Sequence, residues 1–370
     1  MAEVRGVWIA NVGSSVLNSE DEIKVALDNL KAKNFNLVFP VVWHSSLTLF
    51  RSSVMKAHGF DEIHPSYQAT GFDPLEVMIT EAHAREIKVI PWFEFGFAAS
   101  HASDGGEILM ENPDWKGIDG GGRNLRSGEL TWMNPFHPEV QEFMIDLIVD
   151  CAANYDVDGI QGDDRLPACP YDGGYDPVTV GRFGSTPPPV PVNPQDGNAD
   201  WKEWTKWRAD DLTEFLKRLH RDIEAVGSRR GRDVTLSLSP NPYPWCRIFF
   251  CQDTKEWVTQ KLVDTVHPQF YRPTTARYQR EVNNLIKHFS KERNMFSPGI
   301  CFRHEDTGTT LTANTLQECV EINRSAGLSG QVFFPYEGLL NNVGGVNIGD
   351  ALSASGGVFE YADTLPDIFA

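Results

Sequence analysis

Two adjacent carboxylates and a guanidinium, those of Asp163, Asp164 and Arg165, end a short strand-like run at residues 155–165. Apolar side chains at three- and four-residue spacing precede the run and predict a helix with one buried face. Folds of the α/β class place their chemistry where such a strand ends. A single Asp there could instead cap the next turn or pair with Arg165. A doublet that leaves a buried strand favours the floor of an active site.

Further polar and aromatic side chains lie at the ends of other predicted strands. Glu94 ends the third strand, and Glu337 follows the eighth. Both join the two aspartates, Asp163 and Asp164, as candidate catalytic carboxylates. The candidate substrate-binding residues are Asn11, Trp43, Trp92, Gln161, Arg165, Asn241, Tyr243, His267, Gln269, Tyr271, Arg303 and Tyr336.

His267, Gln269 and Tyr271 alternate along the sixth predicted strand. Because successive side chains of a strand point to opposite faces, these three share one face. A polar trio on one face favours contact with a ligand, and a satisfied structural network is the alternative. A metal-dependent hydrolase that uses His267 with Asp163 is a further reading, but no second His lies at ligand spacing. We therefore predict no metal and no cofactor.

Several carboxylates together with neutral hydrogen-bonding groups and aromatic rings are what cleavage of a glycosidic bond requires. One carboxyl protonates the leaving oxygen, another stabilises or attacks the oxocarbenium-like centre, and aromatic faces hold the sugar rings. Asp163 shares strand parity with Gln161 and should face inward, where Arg165 would lower its pKa and keep it ionised. The acid should lie in apolar surroundings that raise its pKa, which suits Glu94 and Glu337.

The charge balance of the chain limits its partners. The 370 residues carry a formal net charge of −18, which disfavours nucleic acid, anionic membranes and polyanionic substrates because each would be repelled. A carbohydrate is the predicted partner. The six cysteines form no CxxC pair, so zinc is not expected. No stretch is long enough to cross a bilayer and no leader is recognisable, so we expect a soluble protein, periplasmic or secreted if a leader has been removed.

Strand and helix patterns alternate about eight times along the chain. Near-continuous apolar runs predict strands at residues 4–12, 35–43, 88–96, 155–165, 234–240, 262–271, 295–302 and 330–336. The long irregular segments follow strands, whereas the connections from helix to strand are short. The loops that carry function in a barrel enzyme show this asymmetry. We predict a single (β/α)₈ TIM barrel with long βα loops on its C-terminal face, rather than a doubly wound open sheet.

The composition shows no break that would divide the chain into two domains. We therefore predict one domain over residues 1–370. Residues 166–200 are rich in Pro and Gly, which excludes a core element and predicts a lid or rim loop within that domain. Residues 340–370 follow the last predicted strand and form a C-terminal extension.

Five sequence stretches together resemble the glycosyl-hydrolase-like family 10 proteins, a group long catalogued as a domain of unknown function. They are Glu3-Val4-Arg5-Gly6-Val7-Trp8, Val89-Ile90-Pro91-Trp92-Phe93, Asp158-Gly159-Ile160-Gln161-Gly162-Asp163-Asp164, Ser239-Pro240 and His267-Pro268-Gln269-Phe270-Tyr271. The resemblance spans about residues 3–340 in the same order. It implies a TIM barrel and a glycoside hydrolase, and some bacterial relatives are associated with peptidoglycan glycan strands.

Carried over by motif, the family's Asp-Asp pair falls on Asp163 and Asp164. Its Pro-Gln-x-Tyr element falls on Pro268, Gln269 and Tyr271. The resemblance therefore implies that these positions belong to the active site.

The chain also departs from the family pattern. Many relatives have Asn at the position of Glu94, which slightly favours Glu337 over Glu94 as the acid. Many also have an aromatic residue at the position of Arg165. The stretches Gln-Gly-Asp-Asp-Arg-Leu-Pro and Phe-Pro-Tyr-Glu-Gly resemble a cyanobacterial-type subgroup. Two functions stay open: a glycosidase that cleaves inside a glycan, and a barrel that binds glycans without cutting them.

Overall fold

The computed structural model describes residues 3–304, 307–363 and 366. Strands and helices alternate along the chain as predicted, and the strands are shorter than predicted. The strands of the two main sheets are β1 (Val4–Ile9), β2 (Leu37–Pro40), β3 (Lys88–Val89), β4 (Trp92–Phe93), β5 (Gly159–Gly162), β6 (Thr235–Leu238), β7 (Thr265–Val266), β8 (Gly299–Cys301) and β9 (Gly330–Phe334). The long helices are α1 (Glu20–Ala32), α2 (Pro74–His83), α3 (Pro138–Asn154), α4 (Ala199–Arg230), α5 (Thr275–His288) and α6 (Ala313–Ala326).

Shorter elements lie in the connections. The short α-helices are Ser53–Ala57, Pro65–Gln68, Glu107–Glu111, Pro177–Phe183, Trp245–Phe250, Thr254–Thr259 and Ile348–Ser353. Single 3₁₀ turns are Val16–Asn18, Pro113–Trp115, Pro194–Asp196, Arg293–Met295 and Tyr336–Leu340. Antiparallel strands are Trp43–His44, Leu47–Thr48, Ala98–Ser100, Arg126–Ser127, Leu130–Trp132, Arg303–His304, Thr309–Thr310, Asn342–Val343 and Val346–Asn347.

Two parallel sheets form the centre of the fold. One has five strands in the order β8-β9-β1-β2-β3, and the other has four in the order β7-β6-β5-β4. Isolated parallel bridges pair Val41 with Trp92 and Gln269 with Gly299, next to the edges of the sheets. β3 and β4 belong to one predicted strand, which is interrupted at Pro91 because proline has no N–H for the ladder. The parallel α/β architecture is confirmed, and closure into one eight-stranded ring stays a prediction.

The first two long helices begin at the capping residues Ser19 and Asp73. Ser19 Oγ accepts a hydrogen bond from the backbone N–H of Glu22 at 3.2 Å. Asp73 Oδ1 accepts from the N–H groups of Leu75 and Glu76 at 3.1 and 3.2 Å. These side chains satisfy N–H groups that the first turn of a helix leaves unpaired. The capping spacing thus defines where α1 and α2 start.

The segment at residues 166–200, predicted as a rim loop, is held against α4. Arg208 of α4 is buried and donates from Nη1 to the carbonyls of Tyr171 and Gly173 at 2.6 and 3.0 Å. The segment also forms the short helix Pro177–Phe183, which its Pro and Gly content did not predict. Buried hydrogen bonds from a long helix therefore give this irregular segment a fixed path.

The C-terminal extension packs near the amino ends of β1 and β2. Phe359 is buried against Phe35 and Phe333, with ring centroids 5.4 and 6.1 Å apart. The Arg5 guanidinium lies 4.5 Å from the centroid of the Phe359 ring. The extension therefore contributes to the core up to Phe359. Residues 364, 365 and 367–370 of the predicted extension lie outside the described residues, and the assignment of one domain stays a prediction.

Gln161 lies in the core between the strands. Its Oε1 accepts a hydrogen bond from the Trp8 indole N–H at 2.7 Å, and its Nε2 donates to Ser237 Oγ at 3.0 Å. The side chain is fully buried and connects β1, β5 and β6. Contrary to the prediction, this residue is therefore a core residue and not a substrate-binding one, because its polar atoms are paired within the protein.

We predict that Gln161→Leu destabilises the fold. Leu has a similar volume but leaves the Trp8 N–H and the Ser237 hydroxyl buried without partners. Each unpaired group costs about 1–3 kcal/mol, so the free energy of unfolding should fall by about 2–4 kcal/mol in urea titrations. Gln260→Leu, at an exposed position, is the matched control and should change it by less than about 0.5 kcal/mol. Equal unfolding midpoints for the two variants would contradict the assignment.

Candidate active site

A cleft of about 430 Å³ lies at the carboxyl ends of the parallel strands. All of its lining residues lie at or shortly after the carboxyl end of one of six strands, and none of them lies in a helix. The lining residues are Trp92, Glu94, Asp163, Asp164, Arg165, Asn241, Gln269, Tyr271, Arg272, Cys301, Arg303, His304 and Phe334. The structure therefore brings together six of the twelve predicted substrate-binding residues and three of the four predicted carboxylates.

The strands that supply this lining are β4 to β9, and each contributes through its carboxyl end or the residues just after it. Three of the four predicted catalytic carboxylates, Glu94, Asp163 and Asp164, line the cleft. The predicted substrate-binding residues in the lining are Trp92, Arg165, Asn241, Gln269, Tyr271 and Arg303.

Arg165 is the centre of the carboxylate cluster. Its Nη2 lies 3.0 Å from Asp163 Oδ2 and 3.7 Å from Glu94 Oε1, and its Nη1 lies 3.6 Å from Asp164 Oδ1. Its Nε donates to the backbone carbonyl of Glu94 at 2.8 Å. One guanidinium therefore faces three carboxyl groups and also fixes the backbone that carries one of them.

Asp163 is buried and accepts hydrogen bonds from three side chains. The donors are Arg165 Nη2 at 3.0 Å, Ser239 Oγ at 3.0 Å and Gln269 Nε2 at 2.7 Å. The inward direction predicted from strand parity is confirmed by these contacts. The predicted lowering of its pKa is wrong: burial and the charge of Asp164 raise the pKa of Asp163 well above its usual value, and Arg165 offsets only part of this.

Glu94 has the properties of a proton donor near neutral pH. Its side chain has an exposed fraction of 20%, so it is partly buried yet reaches the cleft. Burial raises the pKa of Glu94 from 4.5 to about 7, Arg165 acts in the opposite direction, and Asp164 adds to the rise. A carboxyl group with this pKa can hold its proton at neutral pH and release it to a substrate.

Asp164 is placed by the loop that follows β6. Asn241 Nδ2 donates to Asp164 Oδ2 at 3.1 Å. The other oxygen, Oδ1, is buried and has no hydrogen-bond partner among the described residues. Its negative charge therefore acts on Asp163 and Glu94, whose pKa values it helps to raise.

Aromatic rings form one wall of the cleft. Tyr271 stacks on Phe334 with centroids 5.8 Å apart and planes 17° apart. Trp92 meets Phe334 edge-on at 6.2 Å, and Trp8 lies behind both rings. The wall offers an apolar surface beside the carboxylate cluster, which suits the C–H face of a sugar ring.

Two predicted binding residues are core residues instead. His267 Nδ1 lies 3.0 Å from the Ser297 carbonyl, and its Nε2 lies 3.2 Å from the Thr265 hydroxyl. Burial lowers the pKa of His267 to about 4. Trp43 is buried and donates to the Gly96 carbonyl at 2.9 Å. Both side chains are satisfied by the protein itself, which is the structural network that the sequence left as the alternative for His267.

Four other predicted site residues do not line the cleft. Tyr243 packs against His288 at 5.0 Å, and Tyr336 is buried with its hydroxyl 3.4 Å from Asn29 Nδ2. Asn11 and Glu337 follow β1 and β9, yet neither belongs to the lining. Tyr336 and Glu337 lie on the 3₁₀ turn Tyr336–Leu340 instead of continuing β9, and strand parity does not predict such a turn. Glu337 therefore does not join Glu94 and Asp163 as we expected.

Five residues of the site were not among the predicted ones. Arg272, Cys301, His304 and Phe334 line the cleft, and Ser239 donates to Asp163. All five lie among the last residues of a predicted strand or within two residues after it. Proximity to a strand end was thus the signal that could have found them.

Among the residues that the structure describes, no group of three or more His, Cys, Asp or Glu side chains could hold a metal ion. In particular, His267 and Asp163 do not form the metal site considered from the sequence, because His267 is bonded within the core.

Among the residues that the structure describes, no helix is long and apolar enough to cross a membrane.

The sequence of this chain is similar to those of curated glycosyl hydrolases. DigH of Escherichia coli strain K12 is 24% identical over 318 residues, which cover 74% of this chain and 67% of DigH. YngK of Bacillus subtilis strain 168 is 23% identical over 302 residues, which cover 73% of this chain and 54% of YngK. The chain thus spans about half the length of YngK.

The structure is similar to solved glycoside hydrolases. The glycoside hydrolase domain of PgaB from Bordetella bronchiseptica matches with a TM-score of 0.69 at 15% identity, over 95% of this chain and 98% of that domain. The catalytic domain of β-amylase from Paenibacillus polymyxa matches with a TM-score of 0.61 at 12% identity, over 94% and 95%. At such identities the likeness shows the fold alone.

The comparison with protein families covers most of the chain. Residues 3–302 match the family described as glycosyl hydrolase-like 10. This range includes β1 to β8 and the whole carboxylate cluster around Arg165. The chain therefore belongs to the glycosyl hydrolase-like 10 family.

Proposed function

We propose that this chain is a glycoside hydrolase that cleaves a poly- or oligosaccharide with two carboxyl groups. Glu94 is the general acid and Asp163 is the carboxylate that stabilises the positive charge of the transition state. The observation that carries the proposal is the cluster of Glu94, Asp163 and Asp164 around Arg165 in a cleft at the strand ends. Cleavage of a glycosidic bond needs one protonated and one ionised carboxyl group.

The charges in the cluster explain how the two carboxyl groups differ. Three carboxyl groups outnumber the single guanidinium between them, and burial makes an uncompensated charge costly. The cluster therefore keeps a proton at neutral pH, since burial raises the pKa of both Glu94 and Asp163, and we assign that proton to Glu94. Asp163 accepts three hydrogen bonds, which stabilise its ionised form.

In the reaction, the sugar at the cleavage point packs on Tyr271 and Phe334. Glu94 gives its proton to the oxygen of the leaving sugar as the bond to the anomeric carbon breaks. Asp163 faces the oxocarbenium-like centre and lowers its energy through charge. After departure of the leaving sugar, water supplies the new hydroxyl group and returns a proton to the cluster.

Several finer assignments belong to the same proposal. The two sheets close into a (β/α)₈ barrel through the bridges at Val41 and Gln269, and the chain forms one domain. Peptidoglycan glycan strands are the proposed substrate, on the strength of the family resemblance. A periplasmic or secreted location would bring the protein to that substrate. Membership of a cyanobacterial-type subgroup stays a prediction.

Replacement of either proposed carboxyl group should remove turnover. We expect Glu94→Gln and Asp163→Asn each to lower kcat on peptide-free peptidoglycan strands by about two or more orders of magnitude, because each loses a group used in the transition state. Release of reducing ends measures the rate. Thermal unfolding and strand binding by calorimetry should show that both variants still fold and bind.

Glu337→Gln is the matched control, since it makes the same change outside the cleft. Its kcat should stay within about threefold of the unmodified value. Loss of activity in Glu337→Gln with normal activity in Glu94→Gln would overturn the choice of acid. Strand binding without turnover in the unmodified protein would favour the glycan-binding barrel without catalysis.

The pH dependence of kcat should follow the pKa of Glu94. Because the acid must be protonated, activity should fall as the pH rises through about 7. Asp164→Asn removes a negative charge that raises this pKa, so the fall should move to lower pH. Rates measured from pH 4 to 9 test this, with the exposed Asp210→Asn as control. A fall that stays in place or moves to higher pH in Asp164→Asn would contradict the assignment.

A further inference from the structure

The helix Trp245–Phe250, called the rim helix here, carries an exposed aromatic stack. Trp245 stacks on Phe249 with ring centroids 4.8 Å apart and planes 22° apart. Phe250 lies 5.5 Å from the Trp245 ring at a tilt of 43°. Trp245 nonetheless has an exposed fraction of 41%. An indole backed by another ring on one side presents a flat apolar face to solvent on the other.

The rim helix is held rigidly by the neighbouring loop. The N–H of Tyr171 donates to the Phe249 carbonyl at 2.8 Å, and the N–H of Cys169 donates to the Phe250 carbonyl at 2.9 Å. Phe250 also packs against Trp132 at 6.2 Å. Because the rings are already fixed, binding of a ligand over them costs little side-chain conformational entropy.

Both ends of the rim helix are connected to the cleft. Asn241, four residues before Trp245, lines the cleft and donates to Asp164. Gln252, two residues after the helix, is buried and donates from Nε2 to the backbone carbonyl of Asp163 at 3.2 Å. The aromatic stack therefore belongs to the connection after β6, whose two flanks contact Asp164 and the backbone of Asp163 in the cleft.

We propose that Trp245, backed by Phe249, binds a sugar ring of the same glycan chain that occupies the cleft, at a position away from the cleaved bond. Sugar rings have apolar C–H faces that pack on aromatic planes, and an exposed apolar surface beside a cleft is typical of a ligand groove. The inference rests on the proposed function and deepens it. A glycan chain long enough to reach both the cleft and Trp245 gains affinity that a short oligosaccharide lacks. Trp245 with Phe249, called the platform here, therefore favours a polysaccharide over a short oligosaccharide.

Calorimetry in the Glu94→Gln background tests the platform without turnover. The probes are peptide-free peptidoglycan strands and a tetrasaccharide of the same repeat. Adding Trp245→Ala should weaken strand binding about three- to tenfold and leave tetrasaccharide binding within twofold. Trp245→Tyr should restore strand binding, and Trp245→Leu, which keeps an apolar contact with Phe249 but no flat face, should not. Tyr361→Ala, an exposed aromatic residue near the C-terminus, is the control and should bind like its parent.

The outcomes separate this inference from the proposed function. Equal strand affinity with and without Trp245→Ala, in variants that unfold at the same temperature, would overturn the platform even if the unmodified protein cleaves strands. Selective loss of strand binding supports the platform even if no cleavage is found. Equal weakening of strands and tetrasaccharide would also count against it, because the effect would then lie in the cleft.

Discussion

The charge of Arg165 is the constraint on which the arrangement of the cleft depends. Glu94, Asp163 and Asp164 would repel one another if they shared a partly buried cleft without a cation. The guanidinium lies within 3.0 to 3.7 Å of all three, and it also bonds the backbone carbonyl of Glu94. It can do so because β4 and β5 are neighbours in one sheet, so their carboxyl ends lie side by side. The same contact therefore joins two strand ends and limits the rise that burial causes in the pKa of Glu94.

Depth along a strand, rather than the face of the strand, separates core residues from site residues. Gln161 and Asp163 share a face, yet Gln161 is bonded to Trp8 and Ser237 in the core, whereas Asp163 lines the cleft. His267 and Gln269 differ in the same way: His267 is bonded to the Ser297 carbonyl in the core, whereas Gln269 donates to Asp163 in the cleft. A core position must satisfy its polar atoms within the protein. In both cases the residue nearer the carboxyl end of the strand is the one that lines the cleft.

The cleft and the rim helix have complementary physical roles in the proposed enzyme. The cluster around Arg165 supplies charge at one bond, where a low local dielectric makes charge effective. The stack of Trp245 on Phe249 supplies a neutral surface, whose attraction for a sugar grows with contact area. Gln252 links the two through the backbone of Asp163. Catalysis at one sugar and binding of another would thus come from neighbouring connections that contact each other.

The sequence by itself determined the alternation of strand and helix and the Asp163–Asp164 pair at a strand end, because these depend on local periodicity and on residues next to one another. It could not assign the acid. Glu94 has that role in the proposal because burial and Asp164 raise its pKa, while Glu337 lies on the 3₁₀ turn after β9 and does not belong to the cleft lining. It also could not tell that Gln161, His267 and Trp43 are satisfied in the core. Burial, hydrogen-bond partners and the pKa values that follow from them arise between residues distant in sequence, so only the tertiary structure decided them.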